Sequence, residues 1–178
     1  MDSQRANGAR PSRVDRDPID RAELATVRAV STSGPIVLLL HGPNLNLLGT
    51  REPEVYGTAT LADHVATATA TATAFGLVVE DHQSNHEGEL LDLIHRARGR
   101  VAAIVVNPGA FTHYAWSLHD ALAAFDGPIV EVHLSNPNSR EPWRHTSVIA
   151  PVATGTIAGF GGTGYDLAIR AIAANLAH

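Results

Sequence analysis

A glutamate and a histidine two positions apart, Glu131 and His133, stand in the run Ile129-Val-Glu-Val-His-Leu-Ser-Asn136. On an extended chain, side chains two apart leave the same face, so carboxylate and imidazole can meet. Such a carboxylate fixes the tautomer of the ring and favours its cation, as a general acid requires. Other polar groups follow other apolar runs. His41-Gly-Pro-Asn-Leu-Asn-Leu-Leu-Gly-Thr-Arg-Glu-Pro-Glu-Val-Tyr-Gly57 carries Asn44, Asn46, Arg51 and Tyr56. Asn107-Pro-Gly-Ala-Phe-Thr-His113 follows another run, and Arg140 and Arg144 lie beyond Asn136. Each has a plainer reading when taken singly: a loop tyrosine packs, and a strand-end histidine is a hydrogen-bonded structural group. Their convergence at one edge of one sheet is what shifts the reading toward a shared site, since chance placement of that set would be unusual.

All 13 basic residues are arginine and none is lysine. A Schiff base needs an amine that can lose its proton, which a guanidinium cannot supply. Imine chemistry and a Walker-type lysine are therefore excluded. Cysteine is absent too, which removes disulfides, thiolate metal sites and thiol nucleophiles.

The elements that must position these groups are legible as short apolar, β-branched runs at 36–40, 77–79, 101–106, 129–132 and 156–160. They are continuous rather than alternating, as in strands buried on both faces. Helices are expected between them. Ser84-x-x-Glu87 resembles a capping box that opens a helix with Leu90, Leu91, Ile94 and Ala97 inward and Gly99 at its end. Tyr114, Leu118, Leu122 and Phe125 share a helical face ending at Gly127, and residues 165–176 form the last helix. The Ala-Thr tract at 66–74 has the period of a strand, yet Thr60-x-x-Asp63 before it and Gly76 after it favour a helix. Strands alternating with helices predict an α/β fold: a flavodoxin-like, doubly wound, five-stranded parallel sheet in a single domain. Ligands of such sheets bind outside the carboxyl ends of the strands, where the polar residues above fall.

Residues 1–33 read as an N-terminal extension, with six arginines among five acidic residues and no clear period; residues 34–178 read as the catalytic domain. The formal charge of −5 and the scattered arginines speak against nucleic acid, and apolar runs such as 36–40 are too short for a membrane. The first thirty residues lack the apolar stretch of a secretory signal, so a cytoplasmic location is expected.

Gly42-Pro-Asn-Leu-Asn-Leu-Leu-Gly-x-Arg-Glu-Pro-x-x-Tyr-Gly57 is similar to the signature of the type II 3-dehydroquinate dehydratases. Gln83-Ser-Asn-x-Glu-Gly88, Asn107-Pro-Gly-Ala-x-Thr-His113, Glu131-Val-His-Leu-Ser-Asn136, Arg140-Glu-x-x-Arg144 and Pro151-x-Ala-x-Gly155-x-Ile-x-Gly-x-Gly161 continue the resemblance in order. It spans roughly residues 35–177, essentially the whole domain. The resemblance implies an anti elimination of water from 3-dehydroquinate through an enolate, with neither cofactor nor metal, in agreement with the missing lysine.

The same resemblance implies the roles. Tyr56 is the base, and Arg51 stabilises its phenolate. A phenol ionises near pH 10, so bringing it near neutrality takes about 3–4 kcal/mol. Asn44 holds a water against the enolate oxygen, His133 protonates the departing hydroxyl, and Glu131 orients His133. Backbone N–H groups of Leu134 and Ser135 take the substrate carboxylate, while Asn107, His113 and Arg144 hold ring hydroxyls. Asp120 reaches a neighbouring subunit's site, which implies a homo-oligomer, a dodecamer built from trimers. Arg140 joins a closing lid or pairs with Glu131. His41 stands where many members have Asn, and Pro142-Trp143 replaces a commoner acidic–aromatic pair.

Rival readings are weaker. Gly159-x-Gly161-x-x-Gly164 satisfies a dinucleotide fingerprint, but residues 165–178 leave no room for the second strand, so a tight turn and close helix packing are expected. His82-x-x-x-His86 has a ligand spacing without a third ligand at a familiar interval. A phosphate-receiver domain would need clustered aspartates after the first strand and a lysine after the fifth. A non-catalytic oligomeric scaffold, or a small-acid binding module of the same fold, stays open as the alternative.

Overall fold

Where a run of apolar residues is long enough to cross a domain, alternate residues face opposite sides and each side needs a covering layer. The computed structural model describes residues 33–50 and 57–177 and meets that need with helices on both faces of one sheet. The strands are β1 (Ile36–His41), β2 (Val78–Gln83), β3 (Ala103–Asn107), β4 (Ile129–His133) and β5 (Gly155–Ala158). They lie side by side in the order β2-β1-β3-β4-β5 and every pairing is parallel. The helices are α1 (Leu61–Ala74), α2 (Glu87–Ala97), α3 (Trp116–Ala123) and α4 (Thr163–Leu176). This is the α/β, flavodoxin-like arrangement expected from the sequence.

The core is split by the sheet. Leu38, Leu40, Ile104, Val106 and Ile129 pack against α2 and α3. Val37, Leu39, Val105, Val130 and Val132 pack against α1 and α4. Glu131 and His133 have the parity of Ile129 and so project toward the α2–α3 side, at the carboxyl end of the sheet.

Several boundaries differ from the sequence reading, each for a physical reason. β2 runs on through Glu80, Asp81, His82 and Gln83, because it is the edge strand and its side chains stay partly or fully exposed. β3 starts at Ala103 rather than 101, and β5 stops at Ala158, since Gly159 turns the chain at φ 88° and Phe160 is exposed. The Ala-Thr tract is helical, with the Thr60–Asp63 capping box formed in both directions. Ser84 opens no box. Its hydroxyl accepts from the His86 amide (2.9 Å) and donates to Glu89 (2.5 Å), while Glu87 takes the hydroxyl of Ser117. Leu90, Ile94 and Ala97 are buried as expected, Leu91 only partly, and Gly99 turns the chain after the helix at φ 69°. Tyr114 is exposed rather than inward, because α3 begins only at Trp116 and the helical period does not reach it.

Two glycines of the fingerprint-like stretch serve packing. A Cβ on Gly162 would lie 2.3 Å from Nδ1 of the buried His64, and one on Gly164 would press on Val132 at 3.2 Å. Gly162→Ala is therefore expected to lower stability by about 1–3 kcal/mol. Pairing it with His64→Ala should recover part of that loss in urea unfolding; equal losses in both backgrounds would contradict the contact.

Candidate active site

A parallel sheet directs every strand's carboxyl end to one edge, so the loops that follow β1, β3 and β4 meet there. They enclose a cavity of about 150 Å³. The β1 loop contributes Asn44, and the β3 loop contributes Asn107 and His113. The end of β4 contributes His133, Leu134 and Ser135, and the segment beyond it Arg140 and Arg144. Eight of the expected site residues thus share one wall system. Arg51 and Tyr56 lie outside the described residues. Asp120 is exposed on α3 and does not line this cavity.

Glu131 sits just behind, with no exposed surface. Its Oε1 accepts from Nε2 of His133 at 2.8 Å, as the two-residue spacing suggested. That leaves Nδ1 of His133 as the nitrogen able to reach a ligand. Thr112 and Ser147 also donate to the carboxylate, Ser147 at 3.0 and 3.1 Å, and Thr156 adds a longer bond at 3.5 Å. Burial pushes the Glu131 carboxyl up, but the hydrogen bond and charge of His133, with Thr112 and Ser147, outweigh it and hold the carboxyl below its usual range. A buried anion with this many donors keeps a fixed position, and it fixes the imidazole with it.

The other groups are held as firmly. Asn44 adopts φ 66°, a left-handed conformation that asparagine tolerates. Its amide donates to Oδ1 of Asn85 (2.8 Å), which also receives Gln83 Nε2 (3.2 Å). Nδ1 of His113 donates to the Thr146 carbonyl (2.8 Å). The carbonyls of His133 and Leu134 accept from Gly159 (3.1 Å) and Gly161 (2.9 Å), which anchors the backbone whose N–H groups border the cavity. Arg144 donates to Glu141 (2.7 Å) and lies 4.0 Å over the ring of Trp143, whose edge meets His113 at 5.2 Å. Arg140 pairs with Glu141 at 3.6 Å, and not with Glu131 as one expectation had it. Two guanidiniums and two imidazoles on the walls suit a substrate that carries a carboxylate.

Sequence reasoning missed Thr112, Ser147, Asn85 and Tyr165, the last of which accepts from Nδ2 of Asn107. Hydroxyl residues in loops carry no spacing that marks them, because their partners are distant along the chain. His82 lies on β2 and His86 caps α2, so the two are not on one helical face; among the described residues no group of three or more His, Asp or Glu could hold a metal. Also among the described residues, no helix is long and apolar enough to cross a membrane.

Residues 35–173 match the family described as dehydroquinase class II. The chain is 55% identical over 135 residues to a Pseudomonas putida protein named 3-dehydroquinate dehydratase 2, covering 76% of this chain and 91% of that one. It is 51% identical over 142 residues to an Aspergillus clavatus protein named catabolic 3-dehydroquinase, covering 80% and 95%. A crystal structure of type II dehydroquinase from Propionibacterium acnes superposes with a TM-score of 0.76 at 42% identity, over 79% of this chain and 97% of that one.

The lowered Glu131 carboxyl has a pH consequence. Below its ordinary value of 4.5 the unfolded chain binds a proton that the folded one does not. The stabilisation is complete above that value and is lost as pH falls through the lower folded one. Urea unfolding should show the stability gap between the unsubstituted protein and Glu131→Gln narrowing from pH 6 to pH 4; a constant gap would contradict the assignment.

Proposed function

The chain belongs to the class II dehydroquinase family, and from that premise we propose how its residues carry out the reaction of a 3-dehydroquinate dehydratase. It converts 3-dehydroquinate into 3-dehydroshikimate and water. The observation that carries the mechanism is the buried Glu131–His133 pair beside a cavity walled by arginine and histidine.

Tyr56, as phenolate beside Arg51, takes the proton next to the ketone and leaves an enolate. Asn44 holds a water against the enolate oxygen, in the manner of an oxyanion site. The carbon–oxygen bond to the departing hydroxyl then breaks, and His133 delivers a proton from Nδ1 to make water. Glu131 orients His133 through the bond to Nε2. The cycle closes when the proton gained by Tyr56 is lost and His133 is reprotonated from solvent. Backbone N–H groups of Leu134 and Ser135 take the carboxylate; Asn107, His113 and Arg144 take the ring hydroxyls; Arg140 joins the residues that close over them. No imine, metal or cofactor is required by this sequence of steps. The same dehydration serves the shikimate route to aromatic amino acids and the breakdown of quinate, and we assign the chain the step they share. A scaffold without turnover has no support, since the relatives are named as enzymes and the acid pair is in place.

We further assign the protein to the cytoplasm, as a homo-oligomer: a dodecamer of trimers in which Asp120 enters a neighbouring site. Asp120 is exposed outside its own cavity, and Trp116, one helical turn before it, is exposed as well. A partner in nucleic acid or membrane is not part of this assignment.

Mixing the protein with 3-dehydroquinate should raise ultraviolet absorbance as the conjugated enone forms, with a metal chelator present or absent. Tyr56→Phe should lower kcat by about 10²–10⁴-fold without loss of folding; turnover close to that of the unsubstituted protein would remove Tyr56 as the base. Light scattering should give about twelve times the chain mass of 18.8 kDa. A fully active monomer would contradict the assembly.

A further inference from the structure

Tyr165 has no exposed surface, and its hydroxyl must therefore find partners within the protein. It has two: Nδ2 of Asn107 at 3.2 Å and Nδ1 of His41 at 2.9 Å. An amide nitrogen only donates, so the tyrosine oxygen accepts from Asn107. The single hydrogen of the phenol is then available to His41, whose Nδ1 accepts it when that nitrogen carries no proton. In that arrangement the imidazole is neutral and its proton sits on Nε2, which is buried without a hydrogen-bond partner among the described residues. Burial, and the neighbouring His64 and His82, lower His41 to about 4, which keeps it neutral at physiological pH. The direction of the Asn107–Tyr165 bond is thereby set, and a neutral His41 stands ready to take the phenol's hydrogen. His64 stacks on the tyrosine ring at 5.9 Å and 20°, close against Gly162, so the ring has little room to turn.

The beneficiary is Asn107. Its Oδ1 accepts from the Gly109 amide (3.3 Å) while its Nδ2 donates to Tyr165, so the carboxamide is bound at both ends. One N–H and one lone pair remain, and Asn107 borders the cavity. We propose that Tyr165, directed by His41, is a positioning residue that holds the Asn107 carboxamide in the one orientation that serves the substrate ring. This rests on the assignment of Asn107 to a ring hydroxyl.

Loss of such positioning weakens binding in the ground state and transition state alike, which raises KM and leaves kcat. Tyr165→Phe should raise KM for 3-dehydroquinate about three- to tenfold, in keeping with one lost hydrogen bond, while kcat changes by less than about twofold. In an Asn107→Ala background the same substitution should change KM by less than about twofold, because nothing is left to position. An unchanged KM, or the same KM factor in both backgrounds, overturns the proposal; a merely structural role would give the latter together with a lower melting temperature. If Tyr165→Phe does not fold, His41→Leu removes the acceptor instead, and the same pair of measurements decides. If the unsubstituted protein itself gives no enone, the dehydratase reading fails, and the positioning claim is then decided by a crystal structure of Tyr165→Phe (or of His41→Leu). There the Asn107 carboxamide should have turned; an unturned one overturns the proposal.

Discussion

A carboxylate without exposed surface has lost its water, and Glu131 recovers that solvation from side chains drawn from four parts of the chain. Thr112 comes from the turn after β3, His133 from β4 itself, Ser147 from the loop before β5, and Thr156 from β5. Leaving such a charge unpaired in the interior would cost several kcal/mol. The loops after β3 and β4 are thus tied to one another through a single anion. Ser147 also accepts from the amides of Ile149 and Ala150, at 3.0 and 2.8 Å, which extends the tie to the segment leading into β5. The geometry around His133 follows from this constraint.

The site couples a charged half with a neutral half. Glu131 is a buried carboxylate hydrogen-bonded to the His133 ring, whereas His41, Tyr165 and Asn107 form a chain in which nothing is charged. Burial has opposite results in the two. Donors around Glu131 outweigh it and keep the anion; around His41 burial acts together with His64 and His82, and the cation is lost. Between them lies the cavity, with Arg140 and Arg144 held by one carboxylate, Glu141, and with Trp143 packed under the second guanidinium. Cations fixed in advance of binding need no rearrangement when an anionic substrate arrives.

Strands and their order of use were legible because the sheet is buried on both faces, and burial on both faces leaves continuous apolar runs in the sequence. Where that condition lapses, legibility lapses with it: the polar half of β2 gives no apolar signal, since an edge strand needs hydrogen bonds to one neighbour and not a dry environment on either side. Local signals fared according to their competitors. The box at Thr60 and Asp63 formed because both groups are exposed and, among the described residues, their side chains bond only each other, while the similar pattern at Ser84 lost its acid to Ser117 on another helix.

Sequence by itself determined the chemistry available: no amine for an imine, no thiol, and a carboxylate two residues from an imidazole on a strand. It determined the ends of β1, β3 and β4 as the place, because parallel strands between helices leave their carboxyl ends at one edge. Only the tertiary structure decided which hydroxyls bind Glu131, which acid Arg140 and Arg144 share, and that Tyr165 stands behind Asn107. Those pairings join residues up to 124 positions apart, as in His41 and Tyr165. No periodicity or spacing records such a contact, since it is set by how two layers of helices close over one sheet.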